Sequence, residues 1–355
     1  MGISRKLFTP GPVAIEKHIL ALGAQQPVYN RTQEFSQFTR EIVEGLGYVF
    51  QTSGETAVLT GSGTAAMEAA VLNFLDKSDR VLIINGGTFG QRWCDLCRTH
   101  SINYSEFKVK VGEDVDPDLL AQMLLQAKFT ALLINAHETS SGQLYDIETI
   151  GKMARKSGLL FVVDAVSSIC ADRFLMDDWH VDVAILSSHK ALALPPGLAF
   201  VAMSTRAQSL LKSRAPETLY FNLQNYLINQ QRGQSPYTPA IGIYLQLHQR
   251  LRDIRQETIE AIVGQHHERA VQFRNSIADL GFDTLPACPS NALTAVVCKN
   301  NNAFEIVQIL RDDFLIDVAP SGGDMKHIIF RVSHMGAIKN QDADLLISAL
   351  RQIVM

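Results

Sequence analysis

The chain has 355 residues, 46% of them hydrophobic and 19% charged, with a formal net charge of −4. That is ample apolar material for a large core, and the length predicts two or three domains. A mildly acidic balance with no basic run or stripe argues against nucleic acid or an anionic membrane surface as a partner. No apolar stretch is long enough for a membrane span, and Met1-Gly2-Ile3-Ser4-Arg5-Lys6 lacks the apolar centre of a signal peptide. Lys6 stands where a myristoylation signal needs Ser or Thr, so no lipid anchor is expected. The five irregularly spaced cysteines fit a reducing cytoplasm rather than a disulfide framework.

Along the chain, short apolar runs alternate with amphipathic stretches. The expected strands are Ala57–Thr60, Val81–Asn85, Ala131–Asn135, Leu159–Asp164, Val183–Ser187 and Leu198–Met203. Between them, Ala65–Leu75, Phe89–Thr99, Pro117–Gln126 and Ile147–Lys156 have helical patterns. Strands that are apolar throughout and separated by helices predict an α/β fold with a mostly parallel sheet, covered on both faces. Cys94 and Cys97 form a C-x-x-C pair with His100 three residues on. The run lies inside an expected helix with no second cluster nearby, so no metal is predicted. Leu210–Gln230 is a connection of mixed polarity, and Ile241–Phe273 predicts one long helix or two. After Gly281 the pattern changes to a smaller α+β unit. Its strands are Leu293–Cys298, Ile316–Ala319 and Ile328–Val332, and its helices Phe304–Phe314 and Asp342–Met355. With no repeat or low-complexity linker, the two units should be packed rather than tethered.

Three local patterns carry chemistry. Thr60-Gly61-Ser62-Gly63-Thr64-Ala65-Ala66 follows a strand and opens a helix. Its glycines allow close backbone approach, and the free N–H groups of a helix start bind phosphate. An ordinary capped strand-to-helix turn would look similar. The run also fits the dinucleotide fingerprint, but the next strand ends at Asn85-Gly86-Gly87 without the acid that holds a ribose, so a simple phosphomonoester fits better. Phe161-Val162-Val163-Asp164 sets a carboxylate at the end of a buried strand, where it needs a partner. That partner is either a capped loop or a protonated heterocyclic nitrogen, as in pyridoxal phosphate. Val183–Ser187 leads to Ser188-His189-Lys190 and then Pro195-Pro196-Gly197. A lysine delivered there into a crevice would lose hydration, and a neutral amine suits Schiff-base chemistry.

Lys190, Asp164 and the Ser62–Thr64 loop, in this order, resemble the pyridoxal-phosphate enzymes of fold type I. The finer resemblance is to class V aminotransferases, the alanine–glyoxylate and serine–pyruvate group, and it covers nearly the whole chain. Phe8-Thr9-Pro10-Gly11-Pro12-Val13 is similar to the family's N-terminal substrate loop. Asn30-Arg31-Thr32-Gln33-Glu34-Phe35 is similar to its His-Arg-Ser/Thr-x-Glu-Phe segment, with Asn for His. Gly87-Thr88-Phe89-Gly90-Gln91-Arg92 resembles the segment whose aromatic residue stacks on the cofactor. Ser188-His189-Lys190 resembles the Gln-Lys element, with His for Gln.

The resemblance implies a mostly parallel large domain with helices on both faces, a smaller α+β C-terminal domain, and pyridoxal 5′-phosphate bound through Lys190. Asp164 would hold the ring nitrogen. Ser62, Gly63, Thr64 and His189 would hold the phosphate, with Gln234 and Thr238 arriving from a second subunit. Phe89 and Val166 would cover the two ring faces, and Thr139 would meet the phenolic oxygen. Pro10, Gly11 and Arg331 would face the substrate, with the arginine fork on its carboxylate. An arginine inside the apolar run Ile328–Val332 could instead be a structural ion pair. The implied organisation is an N-terminal segment 1–15 that reaches the active site, a large domain 16–245 and a small domain 246–355, in a cytoplasmic homodimer that shares its sites. The implied reaction moves an amino group from a small amino acid to a 2-oxo acid such as pyruvate or glyoxylate. A 2-aminoethylphosphonate–pyruvate transaminase, or a decarboxylase or lyase, would use the same machinery. A nucleotide-binding oxidoreductase is disfavoured by the missing acid after Val81–Asn85.

Overall fold

The computed structural model describes residues 5–354. The leader and lipid-anchor expectations involve Met1–Ser4, and Met355 is the expected end of the last helix; these five positions lie outside the described residues. Seven strands build the main sheet: β1 (Glu55–Gly61), β2 (Arg80–Asn85), β3 (Asn103–Lys108), β4 (Ala131–Asn135), β5 (Leu160–Asp164), β6 (Val183–Ser187) and β7 (Gly197–Met203). Their spatial order is β1-β7-β6-β5-β4-β2-β3. β7 runs antiparallel to β1 and β6, and the other neighbours pair in parallel.

Strand alternation sends side chains into two cores. Leu82, Ile84, Leu132, Ile134, Phe161 and Val163 enter one. Val81, Ile83, Leu133, Leu160 and Val162 enter the other. Helices Gln33–Phe50, Pro117–Gln126 and Ile147–Lys156 pack on the first side, and Gly63–Phe74 and Thr88–Thr99 on the second. A strand apolar on both faces needs a layer on each side, which is why runs such as Val81–Ile84 specify this architecture. Phe161 is 1% exposed, so its truncation to alanine should cost about 3–5 kcal/mol.

The expected large-sheet strands form with shifts of at most two residues at their ends. β3 departs from expectation. It is a half-buried edge strand whose Asn-Tyr-Ser-Glu-Phe-Lys sequence has no continuous apolar run. The Leu210–Gln230 connection of mixed polarity holds the end of helix Thr205–Ser213 and all of helix Leu223–Gln230. The side chains of Ser204 and Asn222 cap these helices. Of the two possibilities left for Ile241–Phe273, one long helix or two, the structure has two, Ile241–Glu257 and Ile259–Ala278, parted at Thr258 with φ +75°. Two N-terminal helices, Lys17–Gly23 and Gln33–Phe50, add to the expected elements.

A second sheet orders Lys6–Phe8, Ile316–Pro320, Ile329–Ser333, Leu293–Val297 and Asp283–Thr284. Helices Ala303–Asp312, Asn340–Val354 and Ile259–Ala278 bury Ile306, Leu310, Leu346, Leu350, Phe273 and Ile277 against it. Lys6–Phe8 lies parallel to Ile316–Val318 in this sheet. From there the chain passes into the large unit and carries Pro10 and Gly11 past Lys190. The expected boundary between residues 245 and 246 falls inside helix Ile241–Glu257, whose Leu247, Leu251 and Ile254 pack in the large unit's core.

Candidate active site

β4, β5 and β6 are parallel and end together. Register sets Asn135 beside Asp164 and Asp164 beside Ile185. Ligands of such sheets gather outside these carboxyl ends, where the connections diverge. β1 ends at the same edge and hands over to helix Gly63–Phe74. Together they enclose a cavity of about 170 Å³. Of the expected site residues, Ser62, Gly63, Thr64, Phe89, Thr139, Asp164, Val166, His189 and Lys190 all line it.

Lys190 is 8% exposed, and its Nζ donates to the Pro10 carbonyl at 2.6 Å. Burial lowers its pKa to about 8; Asp164 opposes the shift, while Arg331 and Arg92 add to it. Gly11 closes over this lysine with φ +141°. A Cβ there would sit 3.1 Å from Lys190 Cδ and Cε, so both the backbone angle and the space call for glycine. His189, next in the turn, is held neutral because burial lowers its pKa to about 4, and its Nδ1 has no hydrogen-bond partner.

Asp164 is buried at the end of β5. Its Oδ1 accepts from the Val166 N–H at 2.9 Å, and its Oδ2 from Asn135 Nδ2 at 2.8 Å. Burial raises its pKa to about 6, with the Val166 hydrogen bond and the Lys190 and Arg92 charges resisting.

The aromatic wall is set by Glu138. Its buried carboxylate accepts from the N–H groups of Phe89 and Gly90 at 3.1 and 3.0 Å, and from Ser140 Oγ at 2.5 Å. An anion at the start of helix Thr88–Thr99 satisfies the free amides and the helix dipole together. Gly87 leaves room for it: a Cβ there would lie 2.7 Å from the Glu138 carboxyl carbon. On the neighbouring wall, a Cβ on Gly63 would meet Val166 Cγ2 at 3.0 Å, a tight contact that would push on Val166, so glycine favours this close a start for helix Gly63–Phe74. Ser62, at its N-cap, makes no side-chain cap bond, which leaves the helix start open to an anion.

Thr139 Oγ1 and Ser167 Oγ lie 2.7 Å apart, and the Ser167 carbonyl is 3.3 Å from His137 Nδ1. Arg331 is on Ile329–Ser333, in the second sheet. Its Nη1 donates to the Thr139 carbonyl at 3.0 Å and its Nη2 to the Pro320 carbonyl at 2.8 Å, while Nε is buried without a partner. It thus stands behind the cavity wall with donors to spare. Gln234 and Thr238 do not join this cavity. Gln234 Oε1 accepts from Arg31 Nη1 at 3.0 Å, and its amide bonds Ser36.

Five further residues line the cavity: Met67, Arg92, Asn135, His137 and Ser167. Two had a readable signal. Asn135 ends its strand as Asp164 ends the next, and Arg92 lies three residues after Phe89, on the same side of a helix. His137 lies in a two-residue strand, His137–Glu138, and Ser167 in a turn, both too short for a periodic pattern to place them. Cys94 and Cys97 are on the buried face of helix Thr88–Thr99, where burial pushes both thiols up to about 12. His100 instead meets Glu68 at 2.9 Å.

Comparison with known proteins bears on this geometry. The family model for aminotransferase class-V matches residues 17–336. A protein named soluble hydrogenase, small subunit, from a Synechococcus species is 31% identical, over 98% of this chain and 92% of that protein. The L-aspartate–glyoxylate aminotransferase of Paracoccus denitrificans is 28% identical, over 95% of this chain and 88% of that one. The crystal structure of an alanine–glyoxylate aminotransferase from a Nostoc species matches with a TM-score of 0.95 and 28% identity, covering 100% of this chain and 96% of the other.

Proposed function

Because the chain belongs to the class-V aminotransferases, we propose that its acceptor is a small 2-oxo acid, glyoxylate or pyruvate, and that its donor is a small amino acid. The relatives named for aspartate–glyoxylate and alanine–glyoxylate transfer support that choice of acceptor. Their different donors leave the donor to be chosen by experiment.

The residues present fit pyridoxal 5′-phosphate. The cavity offers an aromatic wall at Phe89, a buried carboxyl at Asp164, an amine of lowered pKa at Lys190 and an uncapped helix start at Ser62–Thr64. Around it, Asn135 Oδ1, His137 Nε2, Ser187 Oγ and His189 Nδ1 are buried with no partner, an arrangement that a polar ligand would relieve. When bound, the cofactor supplies an electron sink for a carbanion at the amino acid's Cα.

The chain's own groups do the rest. Lys190 would hold the cofactor through its amine and would carry a proton between the substrate's Cα and the cofactor's C4′. Asp164, fixed by Asn135 and Val166, would keep a proton on the ring nitrogen. Arg331 turns its fork to the substrate carboxylate, and Pro10 and Gly11 close the substrate side above Lys190. The observation that carries this reading is Lys190 and Asp164 on one cavity, the lysine's pKa lowered to about 8 towards the neutral amine the reaction needs, while burial raises that of Asp164 to about 6, against the carboxylate it needs. For Asp164 that state is reached above pH 6.

The second copy of the chain is part of the proposal. Tyr29, Leu219 and Ile228 are 70%, 80% and 53% exposed. Arg31 holds Gln234, and Tyr237 Oη donates to the Leu219 carbonyl, so this apolar surface is tied to the Gln234–Thr238 segment. A homodimer that covers it would bring Gln234 and Thr238 to the partner's phosphate. Among the described residues no helix is long and apolar enough to cross a membrane. Free cysteines support a place in the cytoplasm.

The test is a pair of half-reactions on the purified, cofactor-loaded protein. Alanine, serine and aspartate are added singly while the visible band is followed, and then glyoxylate or pyruvate is added. A small amino acid should bleach the band and the oxo acid should restore it. A band that no amino acid bleaches, or that only glyoxylate-unrelated acceptors restore, would overturn the assignment.

A further inference from the structure

Arg92 is a cavity-lining cation that the mechanism leaves unused. It lies three residues after Phe89 in helix Thr88–Thr99, and its guanidinium carbon is 4.7 Å from the centroid of the Phe89 ring. Its Nη1 donates to Thr64 Oγ1 at 2.9 Å, across to the start of the other helix. The acids nearest on these helices are engaged elsewhere: Asp95 with Arg98 and Gln91, and Glu68 with His100. Among the described residues, Arg92 therefore contributes positive charge to the cavity without a paired carboxylate.

That charge falls where the helix start is already electropositive. Helix Gly63–Phe74 opens on the cavity with no side-chain cap, so its dipole and the guanidinium add. The hydrogen bond also sets a polarity. Thr64 Oγ accepts from Arg92, which leaves its proton to be donated to an anion. Stacked on the ring, the same guanidinium fixes the orientation of Phe89. One side chain thus links a flat apolar wall to an anion cup.

We propose that Arg92 is a positioning residue that makes the site select a phosphorylated ring over the same ring without its phosphate, by holding Phe89 and the Thr64 hydroxyl in register. This rests on the cofactor assignment above. The charge of Arg92 also favours neutral Lys190 and ionised Asp164, so its loss should be felt on both sides of the ring.

The test reads binding rather than turnover. Cofactor-free wild-type protein, Arg92→Gln and Arg92→Lys are each titrated with pyridoxal 5′-phosphate and with pyridoxal, and the ratio of the two affinities is compared. The wild type should prefer the phosphorylated form, and Arg92→Gln should narrow the preference by about tenfold or more, as for a lost charge-assisted contact. Arg92→Lys should recover part of it, because the charge remains without the fork. If Arg92→Gln weakens both ligands equally, or neither, the proposal is wrong and Arg92 only supports the wall. Should Arg92→Gln not fold, Arg92→Lys decides: a ratio narrowed relative to the wild type supports the link, and an unchanged ratio overturns it. A wild-type protein that binds neither ligand would instead sink the cofactor assignment, and this inference with it.

Discussion

Asn135 and Asp164 end neighbouring parallel strands in register, and the Asn135 amide donates to the Asp164 carboxylate at 2.8 Å. The sheet itself therefore aims this carboxylate. Asp164→Asn should keep the fold, because the group stays polar and similar in size, yet lose turnover by about a hundredfold or more, since a neutral amide cannot hold the ring nitrogen's proton. Asn135→Ala removes one hydrogen bond to a charged group, at roughly 1.5–3 kcal/mol, so a loss of about tenfold to a hundredfold in kcat/KM is expected. Steady-state kinetics of the two variants check this. Near wild-type turnover in Asp164→Asn would make Asp164 structural.

The lowered pKa of Lys190 gives a pH prediction with a definite sign. The neutral amine is the nucleophile, and it becomes abundant as pH rises through about 8, not through the ordinary value of 10.5. The rate at which cofactor-free protein takes up pyridoxal 5′-phosphate should climb with pH and level off above about 8. Stopped-flow absorbance over that range measures it. An inflection near 10.5 would mean that the lysine is solvated.

Arg331 holds two backbone carbonyls, of Thr139 and Pro320, from the second sheet. Arg331→Ala should raise the KM for the amino donor about tenfold or more with little change in cofactor affinity. Arg331→Lys should rescue only in part, because a point charge lacks the planar fork. Loss of the fold, with normal kinetics in the folded fraction, would make Arg331 a structural tie between the units and leave Arg31 as the next candidate for the carboxylate.

Gln234 and Thr238 lie off this chain's cavity, so their expected role needs a second copy. Sedimentation or light scattering should show a homodimer, and Thr238→Val should weaken cofactor binding without dissociating it. A monomer that stays fully active at high dilution contradicts the shared site.

Much of this was readable in the chain because the physics is local. Apolar runs such as Leu160–Asp164 and Val183–Ser187 must lie in a doubly covered sheet, and their ends deliver Asp164 and Lys190 to one edge. β3 was not readable, since a half-buried edge strand needs no apolar run. Thr258 breaks a continuous helical pattern by one backbone angle, which composition does not record. Glu138 carries no sequence signal of its role, because its hold on Phe89 is a contact across 49 residues. His137 is placed by a tertiary contact in the same way.

The most direct test of the account is to trap the lysine. Borohydride reduction of the cofactor-loaded protein, followed by peptide mapping, should place the pyridoxyl group on Lys190 alone, and Lys190→Ala should show neither the label nor the visible band. A label on any other lysine, or an unchanged band in Lys190→Ala, would contradict the site described here.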